Sequence, residues 1–348
     1  MSKAAHEQSM QNTSQLGSHS GYRTRIAGTG SYLPPGLITN HDIEKMVDTN
    51  DQWIVERTGI KHRHKAEPGV VTTDLAFQAT QKALADAGMT ASQLDLIIFA
   101  TITGDQPTPS SACILQHKLG LTSIPAFDIS AACSGFVYSI SIADQFIRSG
   151  MYKNVLVVGA EIITRFVNYK DRDTCILFGD GAGAFIVSRA EANDPNVIFS
   201  SHLGAEGSLG DLFVLPAGGS KIPFRQEALD AGEHWFRMKG REIFKNAVRT
   251  MSAVCAQALE HNKVSSADID WLVPHQANNR ILEAVADHFQ FPKEKVISIV
   301  HEMGNTSAAT VPVAFDTAVK DGRIKRGQMV LLTAFGAGLT SGSCLLRY

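Results

Sequence analysis

The chain has 348 residues, 44% of them hydrophobic and 19% charged, with a formal net charge of −2. That describes an ordinary core, long enough for two domains or one large layered α/β unit, and the charge balance gives no basis for a nucleic-acid or anionic-membrane partner. No apolar run reaches membrane-spanning length, and five scattered cysteines argue against a disulfide framework and for a reducing, cytoplasmic compartment.

Residues 1–20 are rich in Ser, Gln, Asn and His and lack an apolar segment, which suits a disordered tail and not a signal peptide. The first folded half is set to begin at residue 22, leaving 1–21 as tail. Residues 22–30 read as a strand ending in Gly28-Thr29-Gly30. Tyr32-Leu33-Pro34-Pro35 follows where a dinucleotide site would need a helix, so that reading is rejected. Residues 51–59 form a short amphipathic stretch that places Trp53 and Arg57 four apart, on one face. His62 and His64 lie among Lys61, Arg63 and Lys65, and a solvated basic strand is expected there in preference to a metal site. Residues 72–88 read as a helix ended by Gly88. Residues 94–101 read as a buried strand, and 110–119 as a helix stopped by Gly120.

Residues 125–129 predict a short buried strand, and 134–148 a helix whose polar residues, Ser141, Asp144, Gln145 and Arg148, fall on one stripe. Cys133 therefore sits at a tight strand-to-helix turn. Unpaired N–H groups at a helix start favour a thiolate over a thiol. The small neighbours Ala131, Ala132, Ser134 and Gly135 leave room for a substrate beside the sulfur. A nucleophile is the reading preferred over a buried structural cysteine.

Residues 155–159 form a further continuous apolar strand. The glycines of 179–183 precede a strand, 184–188, and read as a tight turn, not a phosphate cradle. Residues 195–240 are rich in Gly, Ser and Pro and are read as irregular, and 238–259 as a long helix. The two halves echo each other. The helix end and new strand around Leu94-Asp95 return around Ile269-Asp270, an offset of 175 (270 − 95). The Cys133 turn pairs with Gly304-Asn305-Thr306-Ser307, making Asn305 the counterpart of Cys133 at an offset of 172 (305 − 133). His275 follows the repeated strand 270–274, at the carboxyl end of the sheet where ligands bind in open α/β folds.

Cys133, His275 and Asn305 together suit a thiolate that accepts an acyl group beside two hydrogen-bond donors, and a thioester is the natural substrate. The run Pro274-His275-Gln276-Ala277-Asn278 is costly at a strand end unless something polar binds there. Phe335-Gly336-Ala337-Gly338 follows the last strand, and such a turn can aim backbone N–H groups at an oxyanion.

With these residues in view, the sequence resembles the β-ketoacyl-[acyl-carrier-protein] synthase III family. The matching segments are GTGSYLP, DQWIVERTGI, FDISAACSGF, ILFGDGAGA, WLVPHQANNRI, GNTSAA and FGAGLTSG, spread from Tyr22 to Tyr348. The resemblance implies an α/β thiolase-like fold of two pseudo-repeated halves in five layers, αβαβα, assembled as a homodimer. Residues 22–195 would carry the nucleophile, and 196–348 the histidine and asparagine. It implies that Cys133, His275 and Asn305 are the catalytic triad and that Trp53 and Arg57 hold the adenine end of coenzyme A, with Arg172 nearby. Gly240, Phe244 and Asn278 would line the pantetheine tunnel, and Arg280 with Lys245 would meet an acidic acyl carrier protein. Phe335, Gly336, Ala337 and Gly338 would serve the oxyanion.

The implied reaction starts fatty-acid synthesis. An acyl-CoA loads Cys133. Malonyl-carrier protein then loses CO2, and the resulting carbanion attacks the acyl-cysteine, with no cofactor or metal beyond these substrates. Thr108 stands where family members place a bulkier Phe at the partner's acyl pocket, so a longer pocket taking medium-chain as well as acetyl groups is expected. The competing readings are a related ketosynthase of specialised metabolism, a non-catalytic ketosynthase-fold partner subunit, and simple thioester hydrolysis.

Overall fold

Two sheets carry the core of this computed structural model, which describes residues 21–348; of the predicted tail at 1–21, all but Gly21 lies outside the described residues. The first sheet has the strand order Thr24–Tyr32, Gly181–Arg189, Asn154–Glu161, Leu96–Ala100, Ala126–Ile129. The second runs Ile198–Ala205, Thr340–Arg347, Met329–Gly336, Trp271–Pro274. Pair by pair the directions agree. The first two pairings in each sheet are antiparallel and the next is parallel. A lone parallel bridge, Leu272 to Val296, stands where the first sheet has its fifth strand.

Helices Gly135–Arg148 and Thr310–Lys320 lie between the sheets. Both faces of that layer are dry because the sequence is apolar on nearly every turn. Phe136, Val137, Ile140 and Ile147 from one helix, and Val311, Val313 and Phe315 from the other, join the inward residues of both sheets in one cluster. Phe185 links the layers, meeting Phe136 at 4.9 Å and Phe315 at 5.0 Å between ring centroids. Helix Thr72–Asp86 covers the outer face of the first sheet, and helices Gly240–Asn262 and Asn279–His288 cover that of the second. The result is five layers, αβαβα.

Glycines set how close these layers come. A Cβ on Gly30 would lie 2.4 Å from Ala79 O, and one on Gly183 would lie 2.6 Å from Pro312 Cβ. The Gly28-Thr29-Gly30 pattern is thus a spacer under a helix. The glycine-rich segment after Asp180 belongs to the strand Gly181–Arg189, not to a turn that precedes it.

Three further sequence expectations change. Residues 195–240 are not all irregular. Ile198–Ala205 is an edge strand, and its alternation of buried and part-exposed residues contains enough Ser, His and Gly to hide the pattern. The basic strand His62–Lys65 is not solvated throughout, because Arg63 is fully buried and donates to Asn40 Oδ1 and Ile176 O. The counterpart of Cys133 is not Asn305. The turns Ala132–Ser134 and Ser307–Ala309 match, each opening on a residue with positive φ, Ala132 at 46° and Ser307 at 50°. Their offset is 175 (307 − 132), the value found at the preceding strands, so Ala308 is the counterpart of Cys133. The second helix is shorter, 11 residues against 14, and that length difference produced the misleading 172.

Candidate active site

Strand Ala126–Ile129 delivers the chain to the turn Ala132–Ser134, and helix Gly135–Arg148 leaves from it. Cys133 is half-buried there and opens into a cavity of about 580 Å³. His275 and Asn305 line the same cavity, although 142 residues (275 − 133) separate the first two in sequence. Three distant segments therefore converge on one space.

His275 is placed by strand Trp271–Pro274, and its N–H donates to Thr333 O of the neighbouring strand at 2.7 Å. Gln276, wholly buried, holds this segment to the one that follows. It donates to Pro274 O and Ile297 O and accepts from Ile299 N at 2.7, 3.0 and 2.9 Å. The polar run read as a ligand signature is in this part a structural staple.

Asn305 is fixed by its backbone, donating to Leu177 O at 2.8 Å and accepting from Gly179 N at 3.0 Å. Its Oδ1 accepts from Ser307 N at 2.9 Å, so the carboxamide oxygen is occupied and the Nδ2 donors remain for a ligand. His275 Nδ1 lies 2.6 Å from Thr310 Oγ1, which also lies 3.0 Å from Ser307 O. The hydroxyl has one proton to give. It goes to Ser307 O, a carbonyl that can only accept, so the shorter contact is Nδ1–H donating to Thr310 Oγ1; a proton sits on Nε2 only when the hydroxyl turns its own proton to Nδ1.

Burial decides the electrostatics. It holds His275 down to about 3, hence neutral at pH 7. It pushes the Cys133 thiol up to about 12, against the pull of the Ser307 hydroxyl, and the charge of Glu161 adds to the rise. The expectation that the helix start leaves a resting thiolate is therefore corrected. The desolvation of a sulfur whose turn packs against the turn Ser307–Ala309 and the strand exit at Gly336 outweighs the nearby N–H groups.

The strand exit after Met329–Gly336 crosses directly over the nucleophile, since a Cβ on Gly336 would come within 2.7 Å of Cys133 N. Phe335, Gly336 and Ala337 line the cavity, and Ala337 is not among the positive-φ residues, so its methyl is tolerated. Gly338 is not among the lining residues; it turns away at φ 127° toward Gly210.

At the mouth, Trp53 is stacked by two guanidinium groups, Arg57 at 4.5 Å and Arg172 at 4.7 Å from the ring centroid. Gly240, Phe244, Asn278 and Arg280 also line the cavity, with Arg280 at 5.6 Å over the Phe244 ring. Asn278 doubles as the cap of helix Asn279–His288, its side chain accepting from Ile281 N. Lys245 is exposed one turn beyond Arg241 and does not line the cavity; neither does Thr108, which is exposed. Sequence reasoning missed Arg241, a lining residue, and the buried Ser307, Thr310 and Glu161. A carboxylate closing the apolar strand Asn154–Glu161 was the one visible signal.

Among the described residues no helix is long and apolar enough to cross a membrane. Residues 127–207 match the family model of 3-oxoacyl-[acyl-carrier-protein (ACP)] synthase III, and residues 259–348 match its C-terminal model. A β-ketoacyl-[acyl-carrier-protein] synthase III of Thiobacillus denitrificans is 51% identical over 93% of this chain and 99% of its own length. One of Caldanaerobacter subterraneus is 49% identical over 93% and 97%. The crystal structure of 3-oxoacyl-[acyl-carrier-protein] synthase III from Aquifex aeolicus superposes with a TM-score of 0.86 at 47% identity, covering 93% of this chain and all of that one.

Proposed function

Belonging to the β-ketoacyl-[acyl-carrier-protein] synthase III family, the chain is a condensing acyltransferase of fatty-acid biosynthesis, and we propose that Cys133, His275 and Asn305 carry its reaction. The observation that supports this assignment is the convergence of the three side chains on one deep cavity with a cationic, aromatic mouth.

The acyl-CoA enters with its adenine against Trp53, Arg57 and Arg172, whose charges suit the phosphates. Its pantetheine arm follows Gly240, Phe244 and Asn278 inward. Cys133 attacks the thioester carbonyl, and the C–S bond to coenzyme A breaks. Backbone N–H groups of Cys133 and of the strand exit at Gly336 and Ala337 face the oxyanion that forms. Malonyl-carrier protein then replaces coenzyme A, its acidic surface meeting Arg280 and Lys245. With the Thr310 proton turned from Ser307 O to Nδ1, His275 Nε2–H joins Asn305 Nδ2–H in donating to the malonyl thioester carbonyl. They stabilise the enolate as CO2 departs, and its carbon attacks the acyl-Cys133 carbonyl. A neutral imidazole and an oriented carboxamide suit this role, since both are donors that need no prior ionisation.

The chain is proposed to divide at residue 195/196, in keeping with sheets drawn from residues 24–189 and 198–347. It is proposed to act as a homodimer. Strand Ala126–Ile129 ends its sheet with an unpaired edge and half-buried Phe127 and Ile129. Across that dimer the exposed Thr108 would leave the partner's acyl pocket long enough for medium chains. Initial rates with acyl-CoAs of increasing length, with malonyl-carrier protein or malonyl-CoA and with product mass as readout, test the reading. Carrier-dependent β-ketoacyl products supports it. Products made equally well without carrier protein favour the specialised ketosynthase, and a sharp acetyl preference removes the long pocket.

A further inference from the structure

The acyl oxyanion takes its donors from two separate stretches of chain. Cys133 N belongs to the turn Ala132–Ser134 of the first half, and Ala337 N follows strand Met329–Gly336 of the second. Both residues line the cavity, and among the described residues neither N–H has a hydrogen-bond partner. Two such donors serve one oxygen only while the spacing between their segments is held, since a misplacement of about 1 Å weakens an oriented interaction steeply. Backbone bonds secure each segment elsewhere. Ser134 N donates to Ala131 O at 3.2 Å within the turn. The hairpin that carries Ala337 is rooted at the cross-strand pair Gly336 and Thr340. Its far side is fixed to Glu206, whose N–H donates to Leu339 O at 2.8 Å and whose carbonyl accepts from Leu339 N at 3.1 Å.

Turn and hairpin meet closely. A Cβ on Gly336 would lie 2.7, 2.9 and 3.0 Å from Cys133 N, Ala131 O and Ser134 N. Among the described residues no main-chain hydrogen bond crosses that contact. Two hydroxyls cross it instead. Ser134, with no exposed surface, places Oγ 2.7 Å from Thr340 Oγ1 and 2.8 Å from Ala131 O. Thr340 Oγ1 in turn lies 2.9 Å from Ala131 O and 3.1 Å from Ala337 O. Each hydroxyl has one proton to give. Two hydroxyl oxygens at 2.7 Å need a proton between them, so Ser134 donates to Thr340 Oγ1. The Thr340 proton is left for a carbonyl, Ala131 O on the turn or Ala337 O on the hairpin. With either acceptor, a hydrogen bond joins the two halves of the chain at this point.

We propose that Ser134 and Thr340 form a hydroxyl clip that sets the spacing between the Cys133 and Ala337 N–H groups and so positions the oxyanion site; this rests on Cys133 being the acyl carrier. Both are positioning residues, since neither lines the cavity. The clip governs the steps that place negative charge on the acyl oxygen, namely the loading of Cys133 and the attack of the malonyl-derived carbanion on the acyl-cysteine. Substrate binding depends on the mouth and the tunnel, which the clip does not touch. Its loss is therefore felt in the rate of acyl transfer and not in the affinity for acyl-CoA.

Rapid quench of the protein with acetyl-CoA alone, read as acyl-Cys133 by mass spectrometry over a range of acetyl-CoA concentrations, tests this. Ser134→Ala and Thr340→Val should each lower the limiting rate about 10–10²-fold and leave the half-saturating concentration within about twofold. Thr340→Ser keeps the hydroxyl and should restore most of the rate. Because the two hydroxyls act as one unit, the double variant should cost no more than the costlier single one. Loading at the wild-type rate in Ser134→Ala or Thr340→Val, losses that add in the double variant, or a Thr340→Ser protein no faster than Thr340→Val overturns the proposal. Should Ser134→Ala not fold, the comparison of Thr340→Val with Thr340→Ser decides alone. Absence of acyl-Cys133 in the wild type would instead refute the nucleophile itself.

Discussion

Asn305 is held at both backbone ends and at its carboxamide oxygen, so only its amide nitrogen is free to recognise a substrate. An interaction of that kind matters when charge develops on the thioester oxygen, and much less when Cys133 is loaded. Asn305→Ala should therefore lower malonyl decarboxylation, followed as CO2 release, by about 10²–10³-fold while acyl-Cys133 still forms. Equal losses in both steps would contradict the assignment. His275 makes a thermodynamic prediction as well. Its folded value, about 3, lies below the ordinary 6.5. On acidification the unfolded chain takes up that proton first. Above pH 6.5 the residue carries no penalty, and below it stability is lost at about 1.4 kcal/mol per pH unit until the folded value is reached. Glu161 has the opposite sign, because its folded value is raised to about 7 and its stability is fully present below 4.5 and lost as pH rises through 7. It is common to both proteins, so the difference in unfolding free energy between wild type and His275→Ala should shrink from pH 6.5 to 5 in urea titrations. A constant difference would refute a buried neutral imidazole. Sequence exposed Cys133 and His275 because a reactive residue type met a strand end. Ser307 and Thr310 were illegible, since a hydroxyl in a small-residue run gives no sign of what it will bond.

Among the elements, the middle helices position the chemistry, and their approach to the first sheet is set by missing side chains. Gly183 leaves room for Pro312, and Gly159 for Ala308, whose carbonyl would lie 2.5 Å from an added Cβ. Gly183→Val would push helix Thr310–Lys320 outward together with the turn Ser307–Ala309 that precedes it. A destabilisation of about 1–3 kcal/mol is expected from such overpacking, with a fall in kcat larger than the change in KM. Unchanged thermal stability and turnover would show that this contact is not what seats the turn. Continuous apolar runs made the buried strands readable, and amphipathic periods made the outer helices readable. The edge strand Ile198–Ala205 escaped because its solvent side is polar. The register of the second turn escaped because a shorter helix after it shifted every later match.

At the scale of the molecule, a duplicated α/β plan brings two turns together between two sheets and buries them. One turn supplies the sulfur and the other the groups that orient Asn305 and His275. The same burial that makes the site dry raises the thiol and neutralises the imidazole, so the cavity favours acyl transfer to carbon over loss to water. The motifs conveyed this plan in outline, since the repeated order of strand, turn and helix was visible in the chain. The most direct test is to mix the protein with several acyl-CoAs, quench, and weigh the peptide that contains Cys133, before and after malonyl-carrier protein is added. One acyl group on Cys133, absent from Cys175, Cys255 and Cys344 and discharged by the second substrate, is the predicted result. An unmodified Cys133, or an adduct that the malonyl substrate leaves in place, would contradict it.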